Sequence, residues 1–283
     1  MKTGPRVAFA SLLALLAAAA SPALAGDLPL WEAGLGAYGL RLPDYRGSNQ
    51  SRNYLYPLPY LRYRGKLLRM DDRHGLASLL LLEKAHADLD LSLNASQPAP
   101  SEQNDARRGM PDLSPTVEIG PVLRIKLWQN ATDTDELTLQ LPVRAAFAFD
   151  SLRARYIGVV FNPVIDWFMR DAGPGGGWRF GVQAGPLFTD QRYNEYYYQV
   201  APQFAAPGRP AYAASAGYGG TQFTASLNKR FDSIWVGAFV RAYDLHGAVF
   251  EGSPLVKQDS AVLAGIGFAY IFAESKTRVE AKD

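Results

Sequence analysis

From Glu136 to Phe149 the residues ELTLQLPVRAAFAF place Leu137, Leu139, Leu141, Val143, Ala145, Phe147 and Phe149 at every second position, with Thr138, Gln140, Arg144 and Ala146 between them. Successive side chains of a strand point to opposite faces, so a period of two separates an apolar face from a polar one. TVEIGPVLRIKLW does the same: Val117, Ile119, Leu123, Ile125 and Leu127 oppose Glu118, Arg124 and Lys126. In GTQFTASLNKRF, Phe223, Ala225 and Leu227 oppose Gln222, Thr224, Ser226, Asn228 and Arg230. HADLDLSLNA, RYIGVVFNPVIDWFM, GWRFGVQAGPLFT, SIWVGAFVRAYDL and SAVLAGIGFAYIF alternate in the same way. Globular strands usually run ~5–6 residues. These runs reach the ~9–11 residues that a tilted strand needs to cross a bilayer. An apolar face backed by Arg, Lys, Asp and Gln is the outward-apolar, inward-polar pattern of a transmembrane barrel.

The alternation predicts strands at 31–42, 53–64, 66–72, 75–83, 86–95, 116–128, 136–149, 155–169, 177–190, 220–230, 233–245 and 259–272. That makes an all-β antiparallel transmembrane barrel of about twelve strands. The count falls to ten if 66–83, where Leu79 to Leu82 break the alternation, is not a strand pair. The connections also alternate. PDYRGSNQSR, SQPAPSEQNDARRGMPDLSP, the stretch 191–219 and HGAVFEGSPLVKQ fall at one end, whereas RGK, EK, QNATDTD, RDAGPGG and FDS fall at the other. Outer-membrane barrels put their short turns in the periplasm, and an even count returns both termini there.

The N-terminus adds the route. Lys2 and Arg6 precede an apolar run from Val7 to Ala20, and SPALA closes on a small-x-small pattern before Gly26. This reads as a cleaved secretory signal peptide over 1–25, followed by a barrel over 26–272 and a periplasmic C-terminal tail over 273–283. Removing 1–25 takes two of the 29 basic residues and none of the 27 acids, so the mature chain is neutral. A neutral balance argues against a nucleic-acid binder. With no cysteine, the fold has neither disulfides nor thiolate metal sites.

Little in the chain reads as catalytic. The three histidines, His74, His86 and His246, lie in no nucleophile elbow and no metal-ligand spacing. His86 shares an inward face with Asp88 and Asp90, with Ser92 the nearest serine. DTDE at 133–136 offers oxygen ligands but not the spacing of a calcium loop, and reads as a solvated turn. No enzyme activity, cofactor or metal is expected. Arg107-Arg108 and Asp71-Asp72 read as exposed charges, the arginine pair being available to lipopolysaccharide phosphates.

Several segments carry a resemblance: GLGAYGLRLPDYRGSNQ near the mature start, GMPDLSPTVEIGP at 109–121, QAGPLF at 183–188, YYYQV at 196–200 with AYAASAGY after it, SPLV at 253–256 and the closing GFAYIF. In this order they resemble the MltA-interacting protein family, the MipA/OmpV-like outer-membrane proteins. The resemblance implies an outer-membrane barrel and, as in the founding member, a scaffold between a lytic transglycosylase and a murein synthase. The chain departs in one respect: such barrels usually end on an aromatic residue, whereas AESKTRVEAKD follows Phe272. The alternative function is a passive channel for small solutes with weak anion preference.

Two sets of side chains are candidates for function. Arg62, Arg64, Arg124, Lys126, Arg179 and Arg230 all point inward near the periplasmic rim, and the nearest inward acids are Asp88, Asp90 and Asp166. The expectation is a basic band that these acids only partly neutralise. Tyr196, Tyr197 and Tyr198 stand in the longest outer loop beside a strand end, where an aromatic girdle belongs. A hairpin extension of the wall is expected there, a loop packed on its own side chains being the other possibility.

Overall fold

The computed structural model describes residues 28–65, 68–70, 78–84, 86–173 and 176–279. The segment 1–25 expected to be a signal peptide, Asp71-Asp72 and His74 lie outside them. In chain order the strands are β1 (Leu28–Pro29), β2 (Trp31–Pro43), β3 (Ser51–Arg64), β4 (Leu68–Met70), β5 (Ser78–Lys84), β6 (Ala87–Ser96), β7 (Thr116–Gln129) and β8 (Asp135–Asp150). They continue as β9 (Arg153–Phe161), β10 (Val164–Ala172), β11 (Trp178–Thr189), β12 (Gly217–Phe231), β13 (Ile234–Asp244), β14 (Ser260–Glu274) and β15 (Arg278–Val279). One α-helix, α1 (Gln191–Tyr198), lies between β11 and β12.

All the pairs are antiparallel, and from β2 to β8 each strand pairs with the next. β9 and β10 are two halves of one wall position. Both pair with β8 on one side and β11 on the other, and they are interrupted at Asn162-Pro163, where proline has no N–H for the ladder. From β11 the pairs run through β12, β13 and β14 back to β2. Counting β9 and β10 together, twelve wall strands pair in a ring, as the alternation predicts. β4 and β5 form the pair expected at 66–83.

Burial is inverted relative to a water-soluble domain. Leu35, Leu55, Leu61, Ile266, Phe268, Tyr270 and Phe272 are exposed, whereas Glu32, Arg62, Arg64, Asp90, Glu118, Arg124, Thr138, Asp166, Gln222 and Asn228 are buried. Apolar residues face lipid and polar residues fill the inside. The short turns lie at one end and the loops 44–50, 97–115, 190–216 and 245–259 at the other. β14 extends to Glu274, two residues beyond the expected end of the barrel, and the C-terminal segment is tied down beyond it. Leu28 and Pro29 pair with Val279 and Arg278, and the buried Pro29 accepts a 2.7 Å hydrogen bond at its carbonyl from the inward Arg64.

Candidate functional site: a capped polar lumen

The lumen of this barrel has a periplasmic layer, an outer cap and a chamber between them. In the periplasmic layer the six expected cations do face inward, but they are not in excess. Glu32, Glu136 and Glu274 join Asp88, Asp90 and Asp166, six acids for the six expected cations, with Arg170 a further base on the inward face beside Phe168. Arg64 pairs with Glu32 at 3.4 Å, Arg230 with both Glu32 and Glu274, Arg124 with Asp90 at 3.2 Å and Lys126 with Glu136 at 4.0 Å. Register sets further contacts of this kind: Arg62 stands opposite Glu32 and Arg124 opposite Asp88, cross-strand neighbours on one face. Arg179 lies opposite Asn228, and Asp166 accepts from Gln140 at 3.2 Å. The expected uncompensated basic band is therefore corrected to an interlocked layer of alternating charge. Two of the missed acids sit at strand starts, where Glu32 precedes the first clear alternation and Glu136 closes the DTDE run, and the third, Glu274, ends β14 beyond the expected last strand residue.

The outer mouth differs more from expectation. NEYYYQV is not a hairpin of the wall: NEYYY is the body of α1, and Gln199 ends the helix. Asp190 caps the helix, its carboxylate accepting from the Tyr193 N–H at 2.9 Å. Helical spacing then places Tyr193 and Tyr197 on one face, and both are buried together with Tyr198. The helix can seat because Gly158 lies beneath its first turn at φ +129, where a Cβ would come within 2.6 Å of the Tyr193 nitrogen. Inward wall positions around it are small or apolar: Ala146, Ala148, Ile157, Val160 and Leu187 share one core with Tyr45, Tyr193, Tyr197, Tyr198, Leu245, Phe250 and Leu255. The girdle assignment of Tyr196, Tyr197 and Tyr198 is thus corrected: these rings belong to a folded plug.

Four outer loops interlock through these rings. The Tyr45 hydroxyl donates to the Leu255 carbonyl at 2.7 Å, Tyr198 to the Arg46 carbonyl at 3.1 Å and Tyr196 to the Ser114 carbonyl at 3.1 Å. Ser253 donates to the Tyr198 carbonyl at 2.7 Å, and the Tyr198 ring stacks on Phe250 with 3.7 Å between centroids. Each buried hydroxyl thus has an acceptor, as desolvation requires. Burial pushes the Tyr45 and Tyr196 hydroxyls up to about 12, so these donors persist well into alkaline pH. Arg107 is also part of the cap and not an exposed charge. It is 3% exposed, lies over the Tyr45 ring, and donates to the carbonyls of Tyr197 and Pro111, each at 3.0 Å. Arg108 is exposed and pairs with Asp105.

Replacing Tyr198 with alanine removes the stacked ring and is expected to cost the cap about 3–5 kcal/mol, the usual range for truncating a large buried aromatic. The measurement is limited proteolysis of the folded protein in detergent. Cleavage within 190–216 should accelerate while the barrel keeps its heat-modifiable gel mobility; unchanged cleavage would show that the stack does not hold the cap.

The remaining candidates are dispersed. His86 is exposed at a turn, while Ser92 donates to the Gly120 carbonyl at 3.2 Å and accepts from Arg144 at 3.1 Å. His246 lies between Asp244 and Asp259 at 2.6 and 2.8 Å, and the hydrogen-bonded Asp244 raises its pKa. In the 130–134 turn, Asn130 donates to the Asp135 carboxylate at 2.7 Å and accepts from the Thr134 N–H at 2.9 Å.

The family model of the MltA-interacting protein MipA matches residues 35–272. The chain belongs to this family. The match spans all but the first strand residues and the terminal tail, so it includes the cap loops as well as the wall. No curated protein matches the chain. Among solved structures, a bacterial polysaccharide outer membrane secretin is 9% identical over 87% of this chain and 100% of its own, at a TM-score of 0.41. An outer membrane channel from Pseudomonas putida F1 is 10% identical over 89% of this chain and 99% of its own, at 0.40. OmpT, an outer membrane protein of Vibrio cholerae, is 8% identical over 87% of this chain and 100% of its own, at 0.36. By its family, its ring of antiparallel strands and its inverted burial, this chain is an outer-membrane β-barrel protein.

Proposed function

We propose that this protein is a closed outer-membrane anchor whose work is done at the periplasmic rim, where it scaffolds murein-modifying enzymes and catalyses no reaction itself. The observation that carries the reading is the obstructed lumen. A channel needs a continuous polar path, and here the cap packs onto Ala146 and Ala148 at one end while Glu32, buried at 1% exposure, ties Arg64 and Arg230 together at the other. The family's name supports a murein transglycosylase as one partner, and the family resemblance supports a murein synthase as a second. The rim offers the turn at 130–134 and the exposed Arg278–Glu274 pair. The apolar band is the surface for lipid, and the exposed Arg108 is available to lipopolysaccharide phosphates.

The test pairs two measurements on the purified, folded protein. Binding to a purified murein transglycosylase should be saturable, and the protein in a planar bilayer should pass no steady current. Steady conductance with an anion-selective reversal potential, and no transglycosylase binding, would support the passive-channel alternative instead.

A further inference from the structure

Between the cap and the periplasmic layer lies a cavity of ≈ 180 Å³ lined by Arg46, Arg144 and Arg241, with Glu118, Tyr193 and Tyr243 among its other walls. A cavity this size holds several water molecules or one small organic ligand, since a single water occupies roughly 10–15 Å³ on this measure. It reaches the surface beside the exposed Ser96 and Pro98, on the loop side of the barrel.

Its charges do not balance. Glu118 is already engaged: Tyr193 donates to one carboxylate oxygen at 3.2 Å, Asn94 donates to the other at 3.2 Å, and the Arg144 guanidinium stands 4.0 Å away. The other lining acid, Asp44, is held by Arg52 at 2.6 Å and accepts from Asn104 at 2.8 Å. Arg241 donates through Nε to the Thr224 hydroxyl at 3.0 Å and has no carboxylate partner among the described residues. Arg46 donates to the Tyr193 hydroxyl at 3.0 Å and lies over the rings of Tyr193 and Tyr243, again without an acid. Three guanidiniums thus share one carboxylate, leaving a surplus of two positive charges within a cavity walled largely by protein.

We propose that this chamber is a binding site for a small organic anion carrying a carboxylate or phosphate group and entering from the loop side. Guanidinium is the side chain that binds either group through paired N–H donors, and Arg144 and Arg241 leave terminal N–H groups for that purpose. Tyrosine rings supply an apolar wall and hydroxyls for the rest of the ligand. The proposal does not depend on the scaffold reading, because the site faces the outer end and not the periplasmic rim.

The experiment is isothermal titration of the full-length folded protein in detergent with citrate and with inorganic phosphate, using glucose as the neutral comparison. Citrate or phosphate should bind saturably and more weakly as salt rises, and glucose should not bind. Arg241→Gln and Arg144→Gln should each weaken binding at least tenfold while the heat-modifiable mobility is kept. Arg153→Gln, at the exposed start of β9 and outside the cavity lining, should leave it unchanged. A preference for citrate over phosphate assigns the carboxylate class, and the reverse assigns the phosphate class. Absence of saturable binding by either anion, or binding lost in Arg153→Gln but kept in Arg241→Gln, would overturn the proposal.

Discussion

Replacing Glu32 with alanine is expected to destabilise the folded barrel by about 3–5 kcal/mol, the cost of breaking a buried ion pair and leaving its partner charged. Glu32 is 1% exposed and accepts from the Tyr60 hydroxyl at 3.4 Å as well as pairing with Arg64 and Arg230. Without it, two guanidiniums face a lumen in which Glu274 is the remaining acid beside Arg230, and Arg64 keeps the Pro29 carbonyl. Glu274→Ala is the comparison: its side chain is 37% exposed at the rim, so its loss should cost no more than about 1 kcal/mol. Urea unfolding in detergent, followed by tryptophan fluorescence, reports the difference, because Trp235 packs beside Tyr60 with 5.7 Å between ring centroids. Equal midpoints for the two variants would mean that the periplasmic layer is not what holds this end shut.

Arginine placed at Leu139 should impair folding by about 2–4 kcal/mol if the position lies near the bilayer midplane, and less towards the interface. Leu139 faces outward in the apolar band, with Ile125 and Ile165 as its register partners on either side. Gln140 faces the lumen and donates to Asp166 at 3.2 Å, so arginine there gains a carboxylate neighbour instead of meeting lipid. The expected result is a loss of folded yield into lipid vesicles for Leu139→Arg and a near-normal yield for Gln140→Arg. The same yield for both would show that the two faces have been assigned wrongly.

The sequence made the wall legible because one local rule governs it. Alternation over ELTLQLPVRAAFAF assigns Leu139 outward and Gln140 inward without reference to any other segment, and the pairing register agrees. The same parity, carried back two residues from Thr138, puts Glu136 inside; reading DTDE as a unit concealed it. Carried forward, it puts Ala146 and Ala148 inside as well. Alanines at inward positions of a polar lumen were the available signal that something packs against the upper wall. The Asp190 cap followed by QRYNEYYY was likewise visible as a helix start, but adjacent tyrosines beside a strand end suggested an interface with lipid instead.

By itself, then, the sequence narrowed the strand count to ten or twelve and determined the direction of each face, the placement of long and short connections and the family, all of which depend on residues one or two positions apart or on segment order; the β4–β5 pairing in the structure made the count twelve. Only the tertiary structure decided what fills the barrel. The plug joins Tyr45, Ala106, Tyr198, Phe250 and Leu255 from four separate loops, and the charge balance of the lumen joins Glu32 to Arg64 and Arg230 across the chain. These contacts span tens to hundreds of residues, and no period in the sequence encodes which loop folds inward. The choice is made by the closed ring of strands. Once the wall is round, its interior must be filled with side chains whose polar groups and charges find partners, and the loops and inward faces that satisfy that demand are neighbours only in three dimensions.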